Sequence, residues 1–214
     1  MVEEPRMGLR ERKKRETRQR ISDAATMLIV ARGFDNVTVA EIAEAAQVSK
    51  MTVFNYFPRK EDMFFDRSEE AVATITAAIS DRAIGTSFVA ALRACLLDLI
   101  EQRHPLSGLR EGIVPFIRTV QDSPSLRAVA RETGDALEQV LATLFAEETQ
   151  ARPEDPLPRV AAGLIIGAYR PVHARMIDEI LAGRRIDELR PEHVARVDLV
   201  SGLLDKALGD YGVR

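Results

Sequence analysis

Apolar side chains recur at helical spacing along nearly the whole chain. Ile21, Ala24, Ala25 and Leu28 stand at i, i+3, i+4 and i+7, the period of a helix with one buried face. The pattern stops at Gly33, which can take the left-handed conformation that closes a helix. Thr38 and Glu41 have the T-x-x-E spacing of a capping box, with Val37 and Ile42 as a flanking hydrophobic staple. Val39, Ile42, Ala43 and Ala46 give this second helix an apolar face about two to three turns long. Ser49 is the N-cap of another short helix reaching about Tyr56, and Pro58 ends it, because the residue before a proline disfavours the helical region.

Beyond Pro58 the periodic stretches lengthen. They predict helices over 59–80 and 86–103, then a short helix, a turn and another short helix across 104–122. Pro124 behind Ser123 opens a helix to about Glu148, and residues 150–158 form a connector rich in proline. A helix follows from Leu157 to Ala182, with Pro171 as a kink site, and a last one from Pro191 to Leu208. Neither a strand pattern nor an internal repeat is present. The class is all-α, with about nine helices split between a three-helix N-terminal unit and a larger C-terminal bundle. The expected division is a basic arm over 1–16, a helix-turn-helix domain over 17–58 and a helical body over 59–214.

Charge changes this picture more than composition does. The 214 residues are 46% hydrophobic and 29% charged, ordinary for a globular protein. Between Arg6 and Arg20, however, eight cations face two acids. Residues 1–68 carry a net charge of +2 and the remainder −5, a basic head on an acidic body, so a polyanion is the natural partner of the head. The single cysteine, Cys95, excludes an internal disulfide and a cysteine-based zinc site and fits a reducing interior. The N-terminus lacks an apolar core of a signal peptide, and the longest near-apolar run, 160–169, is about half a membrane span, so a cytoplasmic protein without a membrane partner is expected. His104, His173 and His193 have no metal-ligand spacing, and no nucleophile elbow, P-loop or dinucleotide fingerprint occurs. Cys95 lies on an apolar stripe with nothing basic beside it to activate a thiolate. Neither an enzyme nor a cofactor is expected.

Two short helices in succession, packed on a longer one, follow the helix-turn-helix plan, whose second short helix enters the major groove. With Val53 and Phe57 turned inward, Lys50, Met51, Phe54, Asn55 and Tyr56 are left outward or lateral. Asn and Lys can bond base edges, apolar groups can meet thymine methyls, and a tyrosine hydroxyl can reach a phosphate. Lys50 opposes the dipole of its own helix, a conflict that a phosphate would resolve; Lys60 makes the same case at the start of the next helix.

These residues carry a resemblance. "TRQRISDAATMLIVARGFDNVT" followed by "TVAEIAEAAQVSKMTVFNYFPRKEDMF" resembles the N-terminal DNA-binding domain of the TetR family of bacterial transcriptional regulators, over about residues 17–65. Gln47 departs from it, standing where the family usually has glycine in the turn. The resemblance implies DNA contacts from Thr38, Val39, Lys50, Met51, Thr52, Phe54, Asn55 and Tyr56, and phosphate contacts from Lys60 and, with the arm, Arg18. It implies a cytoplasmic homodimer, joined through the last two long helices, on a palindromic operator in double-stranded DNA, and a repressor released by a small molecule. The body is similar to a subgroup with an acyl-CoA-like ligand-binding domain.

Within the body, Gly163 and Gly167 with Ala161, Ala162 and Ala168 form a small-residue face that permits close helix approach. Candidate pocket residues are Phe88, Leu92, Cys95, Leu96, Phe116, Leu141, Phe145 and Tyr169, with Arg118, Arg170, His173 and Arg175 as cations that could meet an anionic ligand. The competing reading is a helical small-molecule-binding or oligomeric interaction protein whose helix-turn-helix is not used on specific DNA.

Overall fold

The computed structural model describes residues 8–214. Ten α-helices make up most of them, with no strand among the described residues. They are α1 (Leu9–Arg32), α2 (Val39–Ala45), α3 (Lys50–Tyr56), α4 (Lys60–Phe64), α5 (Ser68–Ser80), α6 (Phe88–Glu101), α7 (Ile113–Asp122), α8 (Pro124–Thr149), α9 (Leu157–Leu181) and α10 (Ile186–Leu208). The all-α class is as expected. The stretch 59–80 is two helices where one was expected, while the first of the two short helices expected over 104–122 is a 3-10 turn, Pro105–Ser107. Phe65 leaves the helical region at φ −103°, ψ 44°, and its ring meets that of the buried Phe64 edge-on at 5.9 Å. The last helix also starts earlier than expected, with Pro191 inside it. The extra turn buries Ile186 and Leu189, which offsets the backbone hydrogen bond that the proline removes. Residues 9–16 of the expected arm are the first turns of α1, and residues 1–7, Arg6 among them, lie outside the described residues.

The chain divides into two compact units, residues 8–66 with Thr119–Arg127, and Arg67–Arg118 with Ala128–Arg214. In the first, here called the head, Ile21, Ile29, Ile42, Val53, Phe57 and Met63 are fully buried. Each such side chain contributes roughly 1.5–3 kcal/mol by leaving water. The Ser22 hydroxyl donates to the Met63 carbonyl at 3.0 Å and ties α1 to α4.

The second unit, the body, has two apolar clusters. One gathers Phe88, Leu141, Phe145, Ala161, Ala162 and Leu204; the other gathers Ile100, Leu109, Met176, Ile180, Leu189 and Val197. Ala161 and Ala162 thus turn their small side chains into the core of their own chain. At Gly167 an added Cβ would meet nothing within 4 Å, and at Gly163 only the Glu138 carboxylate, at 3.5 Å or more. The Gly108 backbone (φ +70°) holds the turn Pro105–Ser107 against α9, and a Cβ there would lie 2.8 Å from Met176 Cε. An ion-pair node joins α9 to α10. Glu179, almost wholly buried, accepts from Arg175 Nε at 2.9 Å and from Arg196 at 2.6 and 3.0 Å. Its carboxyl is held down at about 2, first by the Arg196 hydrogen bonds.

Candidate nucleic-acid interface and ligand cavity

The head builds its surface from local signals. The Thr38 hydroxyl accepts from the Glu41 N–H at 3.3 Å, while the Thr38 N–H donates to Glu41 Oε2 at 2.8 Å, the two halves of the capping box. The Thr38 N–H and hydroxyl, both donating to Glu41 Oε2, and Arg32 hold the Glu41 carboxyl at about 2. The chain then turns through Gln47 at φ +54°, so a left-handed residue does occupy the turn without being glycine. Gly33 also has positive φ, at φ +86°, ψ 151°, an extended conformation rather than the left-handed helical one. Ser49 caps α3 by accepting from the Thr52 N–H at 3.0 Å.

α3 presents two contrasting faces. Val53 and Phe57 are completely buried. Lys50, Met51, Phe54 and Asn55 are exposed, Met51 at 70% and Phe54 at 50%, while Tyr56 and Thr52 are half-buried. The Thr52 hydroxyl is already bonded to Ser49 at 2.8 Å. Thr38 is exposed and Val39 half-buried at the start of α2.

Two cations in the expected DNA set have structural partners. The Lys60 ammonium donates to the carbonyls of Phe34 and Val37 at 2.8 and 3.0 Å and lies 3.9 Å from the centre of the Phe34 ring. Arg18 donates to the Tyr56 carbonyl at 3.0 Å and stacks 4.3 Å from the centre of the Phe57 ring, closing the end of α3. Their acceptors come from residues distant in sequence, which is why spacing alone did not reveal these roles.

In the body a cavity of about 810 Å³ opens between the two apolar clusters. Of the expected residues, Leu92, Cys95, Leu96, Leu141, Tyr169, Arg170 and His173 line it. Four do not. Phe88 and Phe145 stack on each other at 4.1 Å and fill the core instead, Arg118 is exposed elsewhere, and Phe116 is half-buried off the wall. Arg175 is taken up by Glu179. The wall also includes residues that periodicity did not single out: Thr74, Ser107, Arg131, Thr133, Asp135 and His193.

The wall chemistry is mostly neutral. His173 lines the wall and is solvent-exposed, and desolvation by the protein around it lowers its pKa. His193 is lowered to about 4, by burial first and then by His173 and Arg196, against a smaller opposing effect of Glu179. His193 is therefore neutral near pH 7, and desolvation favours the neutral form of His173 as well. Burial and then Asp98 push the Cys95 thiol up, which keeps thiolate scarce. Arg170 is exposed, 3.9 Å from Asp135. Among the described residues no group of three or more His, Cys, Asp or Glu could hold a metal ion, and no helix is long and apolar enough to cross a membrane.

Known proteins match both regions of the chain. The family model described as bacterial regulatory proteins, tetR family, matches residues 21–66, and that of the MftR C-terminal domain matches residues 86–189. The HTH-type transcriptional regulator TcmR of Streptomyces glaucescens is 28% identical over 65% of this chain and 63% of its own, so the match spans a little under two thirds of that relative. The putative mycofactocin biosynthesis transcriptional regulator MftR of Mycobacterium tuberculosis is 25% identical over 78% of this chain and 81% of its own. Among solved structures, Thermus thermophilus FadR, a TetR-family transcriptional repressor in complex with lauroyl-CoA, shares the fold with a TM-score of 0.52 at 24% identity, over 87% of this chain and 92% of that one. With both of its units matched by models of one family, the chain belongs to the TetR family of bacterial regulatory proteins, a family of regulators and not of enzymes.

Proposed function

We propose that the protein is a DNA-binding transcriptional repressor that works in the cytoplasm as a homodimer on a palindromic operator and is released by a small molecule. The observation that carries this reading is the two-faced α3. Burying Val53 and Phe57 fixes the helix, while Met51, Phe54, Lys50 and Asn55 remain exposed. Apolar side chains held in water at a helix-turn-helix gain a partner in thymine methyls, Asn55 in base edges and Lys50 in a phosphate.

Dimerisation is supported by the outer faces of the last two helices. Leu157, Val160 and Leu164 on α9, and Leu199 and Leu203 on α10, are 43–65% exposed and follow i, i+3, i+4 or i+7 spacing. The open position of Gly167 would let a second copy approach closely. The effector reading rests on the cavity, whose size suits a small ligand. Its apolar wall, the likeness to an acyl-CoA-type body and the lauroyl-CoA held by the Thermus protein all favour an effector with a large apolar portion. Effector binding would favour a dimer whose two α3 helices no longer match the half-site spacing, so operator affinity falls.

Random-site selection followed by electrophoretic mobility shift tests the reading. Enrichment of a palindrome is the expected result. Binding that is sensitive to salt but blind to sequence would overturn it and leave the body as a ligand-binding module whose head is not used on specific DNA.

A further inference from the structure

The hydroxyl groups on the cavity wall already have partners. Thr74 donates to the Glu70 carbonyl at 2.8 Å and Thr133 to the Val129 carbonyl at 2.9 Å. Ser107 donates to the His104 carbonyl at 2.7 Å, and the Tyr169 hydroxyl is bonded to Ser201 at 2.7 Å. His193 differs. It is only 7% exposed, it lines the cavity, and its Nδ1 is buried without any hydrogen-bond partner. A buried polar atom left unpaired is costly, and a leucine of similar bulk would have avoided the cost. His173 stands close enough on the same wall to influence it. The charged groups nearby, Glu179 and Arg196, are already bonded to each other at 2.6 and 3.0 Å.

We propose that His193, with His173, forms a recognition site for a neutral hydrogen-bonding group, a hydroxyl or carbonyl, on an otherwise apolar effector. A neutral imidazole can meet such a group as donor or acceptor. A carboxylate or phosphate would instead call for an imidazolium, which the burial of His193 opposes. Arg131 and Arg170 remain on the wall for an anionic group, so a ligand carrying both features would be held at two kinds of site. A wall group built to hydrogen-bond its ligand also rejects an analogue that lacks the partner, because the polar atom then stays unpaired. This inference deepens the effector reading above and rests on the cavity being the effector site.

The test uses the purified full chain and two probes of nearly equal size, 2-naphthol and naphthalene, with binding followed by competition against an environment-sensitive dye. 2-Naphthol should bind at least tenfold more tightly than naphthalene. His193→Phe should reduce that preference to threefold or less without lowering the melting temperature. If His193→Phe does not fold, the imidazole 15N resonances of the wild type decide. Those of His193 should shift with 2-naphthol and stay in place with naphthalene. Equal affinity for the two probes, no binding of either, an undiminished preference in His193→Phe, or resonances indifferent to 2-naphthol would each overturn the inference. None of these readouts involves DNA. A chain that prefers 2-naphthol but selects no operator would leave the inference standing and remove the regulatory reading.

Discussion

The head and the body use polar side chains in opposite ways. In the head, Lys60 and Arg18 turn toward backbone carbonyls and aromatic rings, Glu41 and Ser49 are absorbed in caps, and the core is closed. What is left unpaired faces outward on α3. In the body, cations pair with carboxylates: Arg196 and Arg175 with Glu179, Arg82 with Glu148 at 2.7 Å, Arg93 with Asp198 at 2.6 Å. The buried polar atoms left unpaired there include His193 Nδ1, on a residue of the cavity wall. One unit is solid with a reactive outside, the other is hollow with a selective inside. Each arrangement suits the partner proposed for it, a duplex too large to enter and a ligand small enough to be enclosed.

The sharpest way to break the contrast is to hollow the solid unit. Phe57→Ala should destabilise the head by about 3–5 kcal/mol, because a fully buried ring under Arg18 is removed. Hydrogen exchange should show lost protection in α1 to α4 and little change in α9 and α10. Acid should do the reverse. All three histidines lie in the body, and His193 is held at about 4 against an ordinary 6.5. The folded state binds fewer protons than the unfolded chain between those values. Stability is therefore fully present above pH 6.5 and falls as pH drops toward 4, by on the order of 3 kcal/mol. Glu41 and Glu179, held at about 2, lose their contributions only below the ordinary carboxylate value of 4.5. Denaturant melts at pH 7 and pH 5 should show the body weakening first, and His193→Phe should flatten the difference.

Smaller effects probe the outer face. Asn55→Ala should weaken operator binding by about 1–3 kcal/mol and relax selectivity at one base position, with helicity unchanged in circular dichroism. Thr38→Ala should cost the head about 1 kcal/mol in denaturant melts through loss of the α2 cap. Lys50→Ala should lower the slope of log affinity against log salt by about 1, the mark of a single phosphate contact.

Legibility in the sequence followed the same divide. Thr38, Glu41 and Ser49 act within three residues of themselves, so the caps were readable by spacing and the structure has them. The burial of Val53 and Phe57 followed from a helical period of four. Gln47 shows the limit of a composition rule, since the backbone keeps the left-handed turn without the glycine. In the body, Phe88 and Leu92 sit one turn apart on one stripe, yet Phe88 stacks with Phe145 and Leu92 borders empty space. A void is set by where side chains from four or five helices fail to meet, and no local pattern encodes that. The Arg196–Glu179 bonds and the partners of Lys60 were hidden for the same reason, as they span from 17 to 26 residues of sequence.

The exposed leucine stripe of α9 and α10 has a consequence in mass action. With that face as the seam between two copies, folded dimer and unfolded chain are linked through protein concentration, and the melting temperature should climb as the solution is made more concentrated. In a cell the fraction of chain able to span two half-sites would then depend on the copy number of the protein itself. The gene dose would be part of the response curve, and Leu203→Glu would make the protein behave as though fewer copies were present.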